Sequence, residues 1–357
     1  MSSITLHHVA RQFGDVIAVD DVSLEVSQGE FVSLLGPSGC GKTTTLRMIA
    51  GFLAPSAGDI LFDTESVVGL KPYRRNIGMV FQSLALFPHM TVFENIAYGL
   101  KVRHVRAREM NERVGSMLDL VQLGGLAKRM PNELSGGQRQ RVAFARALAI
   151  NPKILLLDEP FAALDRKLRE EMQVELRRLH ERLRITTVFV THDQREAFTL
   201  SDRIAVLNEG CLEQVGTPFE VYYRPATRFV ADFVGIGNLL PIHITDRTDG
   251  TVRVAIENEN VVLDLPLSHP TPPREGPSHL FIRPEFVSLQ PESGADPGTL
   301  TARVMLVRFV GEQREVRLET AGGHKLVATF QGADAPAVES GQTVAVRLAV
   351  RYGSLLK

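Results

Sequence analysis

Eight residues, Gly36-Pro-Ser-Gly-Cys-Gly-Lys-Thr43, have the types and spacing to hold a polyphosphate. Glycines at 36, 39 and 41 let successive backbone N–H groups turn to one side, and the helical pattern TTTLRMIAG that follows adds the positive end of a helix. Lys42 is then placed to reach β- and γ-phosphates, and Thr43 to offer its hydroxyl to Mg2+. An apolar run, FVSLLG, leads into the motif, so the required order of strand, loop and helix is present. Those flanks disfavour a chance Gly-rich turn.

A complementary acid pair closes the run ILLLDE at Ile154–Glu159. Asp158 can hold Mg2+ directly or through water, and Glu159 can polarise an attacking water. Alone, such a pair more often marks a solvated loop or helix cap; beside a phosphate loop the chemical reading is favoured. Gln82, ending IGMVFQ, and His192, ending TTVFVTH, are individually weak signals, by default a turn residue and a structural histidine. Gln can sense Mg2+ and water, and His can hydrogen-bond a γ-phosphate oxygen. Phe13 offers a ring to stack on a purine, although a single aromatic otherwise reads as core. A second anion-holding pattern, LSGGQRQR at Leu134–Arg141, sets Ser135, Gly136 and Gly137 at the start of an Arg-rich helical run. A flexible helix cap is the plainer explanation of the same three residues.

These groups need a scaffold that brings them together. Phe31–Gly36, Ile77–Gln82, Ile154–Glu159 and Thr186–His192 are continuous apolar runs without polar alternation, as expected of strands covered on both faces of a parallel sheet. Each ends in a polar residue, and ligands of open α/β sheets gather beyond the carboxyl ends of strands. The segment from about residue 95 to 150 reads as a helical subdomain that carries LSGGQ near its far end. After Gly235 the pattern changes to short alternating segments separated by Gly, Pro and Asp, among them TVRVAIEN, REVRLET and TVAVRLAVR, which predict a small antiparallel barrel. Ser268–Pro277 reads as a Pro-rich loop within it. The boundary is expected near Val234–Asn238, giving domains at 1–235 and 236–357.

GPSGCGKT, Gln82, LSGGQ, ILLLDE with Ala163–Asp165, and His192 follow one another in the order found in the nucleotide-binding subunit of an ABC transporter, which residues 1 to about 235 resemble. A phosphate loop alone leaves many nucleotidase families open; LSGGQ ahead of the acid pair narrows them to this one. The resemblance implies an α/β P-loop cassette with a helical subdomain that hydrolyses ATP with Mg2+. It implies that Phe13 stacks on adenine and that Gly36, Pro37, Ser38, Gly39, Cys40, Gly41, Lys42, Thr43, Thr44 and Gln82 bind ATP. Mg2+ would be held by Thr43, Gln82 and Asp158; Glu159 would be the catalytic base and His192 the γ-phosphate switch. It further implies a head-to-tail homodimer in which Ser135, Gly136, Gly137 and Gln138 of one subunit close over the ATP of the other, with Asp165 at the seam.

The C-terminal region resembles the OB-like (TOBE-type) barrel of importer ATPases, with FIRPE at Phe281–Glu285 its most characteristic segment. Two membrane-spanning permease subunits are the implied partners, with a substrate-binding protein acting indirectly, and SLALFPHMTVFENI after Gln82 is either a docking groove for them or ordinary core. Polyamine (spermidine/putrescine) importer ATPases are the most similar; those for ferric iron, 2-aminoethylphosphonate, sulfate and sugars are close to them. A soluble, non-transport ABC ATPase is the alternative class, disfavoured by the single cassette and the absence of sustained heptads. A net charge of −1 gives no general attraction to nucleic acid, and basic clusters and aromatics are sparse in the tail, so no nucleic-acid partner is expected. No run reaches 18 apolar residues, Met1–Ala10 lacks the pattern of a secretory leader, and only two cysteines occur. With the resemblance to an importer subunit, these features imply a peripheral protein on the cytoplasmic face of the membrane. Cys40 lies within the phosphate loop, where a helix N-terminus can lower a thiol pKa, although a small residue that simply fits is the plainer reading.

Overall fold

The computed structural model describes residues 2–248, 250–266, 278–291, 298–332 and 336–356. The segment Ser268–Pro277, expected as a loop, lies outside the described residues apart from what flanks it. Tertiary contacts divide the chain into Met1–Pro218 and Phe219–Lys357.

The strands of the first unit are β1 (Ile4–Phe13), β2 (Val16–Val26), β3 (Phe31–Leu35), β4 (Ala57–Phe62), β5 (Glu65–Ser66), β6 (Ile77–Val80), β7 (Ile154–Asp158), β8 (Thr186–Thr191), β9 (Arg203–Asn208) and β10 (Cys211–Gly216). The helices are α1 (Lys42–Ala50), α2 (Val92–Val102), α3 (Ala107–Leu120), α4 (Gly136–Ala149), α5 (Arg166–Leu183) and α6 (Gln194–Leu200). The four apolar runs form neighbouring strands of one sheet, ordered β10-β9-β3-β8-β7-β6, parallel except for the β10–β9 pair. β3, β7 and β8 are buried along their whole length, which is why β3 and β7 are almost wholly apolar and β8 carries only threonines besides its apolar residues. A second, antiparallel sheet, β2-β1-β4-β5, packs into the same core through Ile4, Leu6, Val9 and Leu24, meeting Ile154 and Val188 of the parallel sheet.

The helical subdomain is present. Its first helix, α2, starts where Thr91 and Glu94 form a reciprocal capping box, and α2, α3 and α4 bury Ile96, Leu100, Val114, Leu118, Val142 and Ala145 against one another. α1 ends on Gly51 at φ 81°, and the buried Arg75 guanidinium donates to its last carbonyls, Met48 and Ile49, both at 2.8 Å. A Cβ at position 51 would lie 2.5 Å from Arg75 Nε, so glycine is required there on two counts.

Among its described residues, the second unit consists of strands and short helices joined by turns. One antiparallel sheet runs Val262–Pro266, Thr251–Ile256, Asn238–Thr248, Ser278–Ile282, Ser354–Leu356; the other runs Val287–Pro291, Thr343–Leu348, Leu300–Val310, Gln313–Thr320, Lys325–Gln331. Leu240, Val254, Leu280, Val304, Val316 and Val346 from both sheets share one core. The alternation seen in the sequence is realised: in Thr251–Ile256, Val252, Val254 and Ile256 point inward.

The division between units falls at Pro218, earlier than the expected boundary at 235. Helices α7 (Pro218–Tyr223) and α8 (Arg228–Phe233) are bound to the second unit by Arg283 of FIRPE. This side chain is 1% exposed; its Nε donates to Tyr222 O at 3.0 Å, and its Nη1 to Ala231 O at 3.2 Å and Ile236 O at 3.0 Å. Its plane lies over the Tyr222 and Phe281 rings at 4.2 and 4.6 Å. Truncation as Arg283→Met leaves three carbonyls without donors and is expected to destabilise the second unit by about 3 kcal/mol. Tyrosine fluorescence reports it, because Tyr222, Tyr223 and Tyr352 of the five tyrosines lie in that unit. An unshifted urea midpoint would contradict the assignment.

Candidate active site

Strand order fixes the site. β3, β8, β7 and β6 end side by side, so Gly36, His192, Glu159 and Gln82 all follow the carboxyl edge of one sheet. Gly36 is wedged: a Cβ there would stand 2.2 Å from Leu207 O and 2.6 Å from Cys40 Sγ. Gly39 and Gly41 take φ of 83° and 100°, and a Cβ on Gly41 would meet Ala18 O at 2.5 Å. Gly41 caps α1 with no side-chain acceptor, which leaves the first-turn amides of Lys42, Thr43 and Thr44 as donors for an anion. Pro37 is half-buried, while Ser38 and Gly39 are exposed at the mouth of the loop. Lys42 is buried, and its ammonium donates to Gly36 O and Pro37 O, each at 2.8 Å.

The acid side meets this loop directly. Thr43 Oγ1 donates to Asp158 Oδ1 at 3.2 Å. Burial pushes the Asp158 carboxyl above its ordinary range, with the Thr43 bond and nearby Arg47 opposing and Glu159 reinforcing. A group of hydroxyl, carboxylate and amide oxygens suits Mg2+. Among the described residues no group of three His, Cys, Asp or Glu side chains is placed to hold a metal ion by itself.

Glu159 is the meeting point of the rest. Its Oε2 receives Gln82 Nε2 at 3.4 Å and lies 3.2 Å from His192 Nδ1. The residue adopts φ 44°, a left-handed conformation that costs a non-glycine residue about 1–2 kcal/mol, and its amide is fastened to Val190 O at 3.0 Å. Phe13 is 46% exposed at the end of β1, its ring covered on one face by the Arg11 guanidinium at 4.5 Å.

LSGGQ is not joined to this cluster. Ser135 caps α4: its Oγ accepts from Gln138 N at 3.3 Å, and Gln138 Oε1 accepts from Ser135 N at 2.9 Å. The plainer helix-cap explanation therefore describes the single chain. Because Ser135 Oγ acts as an acceptor, its hydroxyl proton remains available to an anion. Gly137 is needed for packing, since a Cβ would come 2.9 Å from Leu168 Cδ1. Asp165 in turn caps α5, accepting from Leu168 N at 3.0 Å, so LSGGQ and the Asp165 turn are held together through Leu168.

Two points were left open by the sequence. Cys40 is buried, and burial pushes its thiol up, outweighing the lowering effect of Lys42; the loop does not activate it. The segment after Gln82 is mixed: Leu84 and Leu86 pack on the internal clusters, whereas Phe87 lies against the partly exposed Tyr98 at 4.6 Å. Sequence reasoning missed Arg146, a half-buried residue of α4 that donates to Leu84 O at 2.7 Å and Ala85 O at 2.6 Å. Both of those residues have positive φ, 59° and 46°, and nothing in an Arg on a helical pattern signals that it holds a strained turn.

A sheet edge that gathers a glycine-rich phosphate loop, an acid pair, a glutamine and a histidine defines a P-loop nucleoside-triphosphatase. The chain belongs to the ABC transporter family, as an ATP-hydrolysing subunit of the importer type. The family's sequence model, ABC transporter, matches residues 19–162, and that of the TOBE domain matches 280–356. The chain is 46% identical to the spermidine/putrescine import ATP-binding protein of Rubrobacter xylanophilus, over 99% of this chain and 93% of that one. It is 42% identical to the Fe(3+) ions import ATP-binding protein of Brucella abortus, over 98% and 95%. Among solved structures, a dimeric ATP-binding cassette in a post-hydrolysis state with ADP and Pi is 36% identical and superposes with a TM-score of 0.54, covering 60% of this chain and 98% of that one.

The thiol geometry gives a direct test. At pH 7.5 iodoacetamide is expected to modify the exposed Cys211 well before Cys40, with both reacting after denaturation. Peptide mass mapping that found Cys40 labelled first would contradict its placement.

Proposed function

We propose that this chain energises a polyamine importer, working as a homodimer bound to two permease subunits on the cytoplasmic face of the membrane, with a substrate-binding protein delivering spermidine or putrescine. Identity of 46% over nearly the whole of both chains with a spermidine/putrescine import protein carries the cargo reading. Ferric iron and sulfate are the competing readings, favoured by relatives 42% and 45% identical over similar spans. Among the described residues no helix is long and apolar enough to cross a membrane, in keeping with a subunit that docks on membrane partners.

Each residue then has a task. Phe13 stacks on adenine with its uncovered face. The amides of residues 36–44 surround the phosphates, and Lys42 exchanges the Gly36 and Pro37 carbonyls for β- and γ-phosphate oxygens. Thr43, Asp158 and Gln82 hold Mg2+, which neutralises developing charge on the phosphates when bound. Glu159 takes a proton from the attacking water, and His192 contacts the γ-phosphate, both already adjacent through the 3.2 Å contact. Ser135, Gly136, Gly137 and Gln138 of the second copy cover the same γ-phosphate, with Asp165 at the seam. ATP thus contacts two subunits only while it is intact, and its differential affinity for the closed pair shifts the permeases between inward- and outward-facing states.

Glu159→Gln keeps the shape of the site and removes its base. Turnover is expected to fall by about a hundredfold or more, while ATP binding persists and an ATP-dependent dimer accumulates on size-exclusion chromatography. Normal turnover in that variant would reject Glu159 as the base. For cargo, ATPase activity of the transporter assembled in nanodiscs with its binding protein should rise with spermidine or putrescine. Stimulation by ferric iron or 2-aminoethylphosphonate instead would replace the polyamine assignment.

A further inference from the structure

Arg169 stands on the first turn of α5, four residues beyond the Asp165 cap, and its guanidinium reaches three separate segments. Nη2 donates to Leu164 O at 3.1 Å, the residue just before the seam aspartate. Nη1 pairs with Asp193 Oδ2 at 3.2 Å, the residue just after His192. Nε is buried with no hydrogen-bond partner, and the nearest carboxylate oxygen, Oε1 of Glu196, lies 3.8 Å away. Glu196 is itself buried, at 4% exposure.

The same carboxylates anchor the residues on both sides of His192, Glu196 through the Thr191 hydroxyl and Asp193 through the amide of Arg195. Thr191 Oγ1 donates to Glu196 Oε2 at 2.5 Å and accepts from Asp193 N at 3.0 Å. Asp193 Oδ1 accepts from Arg195 N at 2.8 Å, fixing the start of α6. His192 is therefore the exposed residue between two anchored neighbours, and both anchors lead to Arg169. At the other end, Leu164 and Leu168 pack where Gly136 and Gly137 open α4. One side chain thus links the LSGGQ and Asp165 surface to the loop that carries His192, and its unpaired Nε leaves one bond to be completed by a small rotation.

We propose that Arg169 is a positioning residue that transmits closure of the dimer seam to His192: movement of the Leu164–Asp165 turn draws the guanidinium onto Glu196 and sets the His192 backbone for the γ-phosphate. The proposal deepens the ATPase reading above and rests on its assignment of His192. Lysine cannot replace the planar fork, since an ammonium is a single point charge on a flexible stem. A role confined to fastening α5 would instead weaken folding and nucleotide binding together.

The test uses the full-length protein and steady-state ATPase kinetics. Arg169→Met is expected to lower kcat about tenfold or more with KM for ATP within about twofold, and Arg169→Lys not to restore it. Combined with Glu159→Gln, Arg169→Met should still give the ATP-dependent dimer. Glu196→Gln, which retains the bond to Thr191, should lower kcat in the same direction by about threefold. Unchanged kcat in Arg169→Met overturns the proposal, as does a loss matched by equal losses of nucleotide affinity and dimer. Should Arg169→Met fail to fold, Glu196→Gln decides, and parental kcat there overturns the link. His192→Ala separates the two levels: full activity in it removes the His192 assignment and the proposal together, whereas an inactive His192→Ala beside a fully active Arg169→Met removes the proposal alone.

Discussion

No side chain fits at position 36. The carbonyl of Leu207 and the sulfur of Cys40 stand where a Cβ would be, so the chain leaving β3 turns tightly enough to aim its amides inward rather than at a neighbouring strand. Everything at the sheet edge depends on that turn. It places Lys42 inside the loop, brings Thr43 against Asp158, and leaves the start of α1 without a side-chain cap. A backbone cradle of this kind has no charge of its own to repel or attract selectively; the buried lysine and the helix terminus supply it. The neighbouring acid then gains from the same burial, because a carboxyl held out of water at the strand end is raised in pKa until a cation arrives to offset it.

Where local spacing dictates structure, the sequence was informative. Uninterrupted apolar runs marked the buried parallel strands, and the polar residue ending each run marked the site, because strand ends and ligand coincide in this architecture. The antiparallel pair β1–β2 was less visible: His7–His8 and Asp20–Asp21 break its alternation, and the paired register slips between Leu6 and Val9 and again near Arg11. The unit boundary was misplaced for a different reason. GIG interrupts the pattern at 235–237, but the packing that decides where α7 and α8 belong comes from a residue nearly fifty positions later. The capping role of Ser135 was legible from its spacing to Gln138, whereas its adjacency to the Asp165 turn needed the tertiary contact with Leu168.

Guanidiniums turned inward, two buried and two half-buried, form the least predictable layer. Arg75 closes the end of α1, Arg146 holds the turn at Leu84 and Ala85, Arg169 joins Leu164 to Asp193, and Arg283 gathers three carbonyls of the second unit. Each donates to carbonyls at a helix end or a turn, using a planar fork that keeps its charge. In sequence all four resemble ordinary surface arginines. They differ from these only in what lies near them after folding, so periodicity and composition carry no trace of them.

The fastening by Arg283 also says where the chain can be divided. A cassette cut at residue 235 would retain α7 and α8 but lose the guanidinium that donates to their carbonyls and the Phe281 and Leu356 surface against which Ala231 packs. The two helices would be passengers with an uncovered apolar face, prone to self-association. The natural joint is the short stretch between the end of β10 at Gly216 and Phe219, and exchange of whole modules among relatives would preserve both cores if made there.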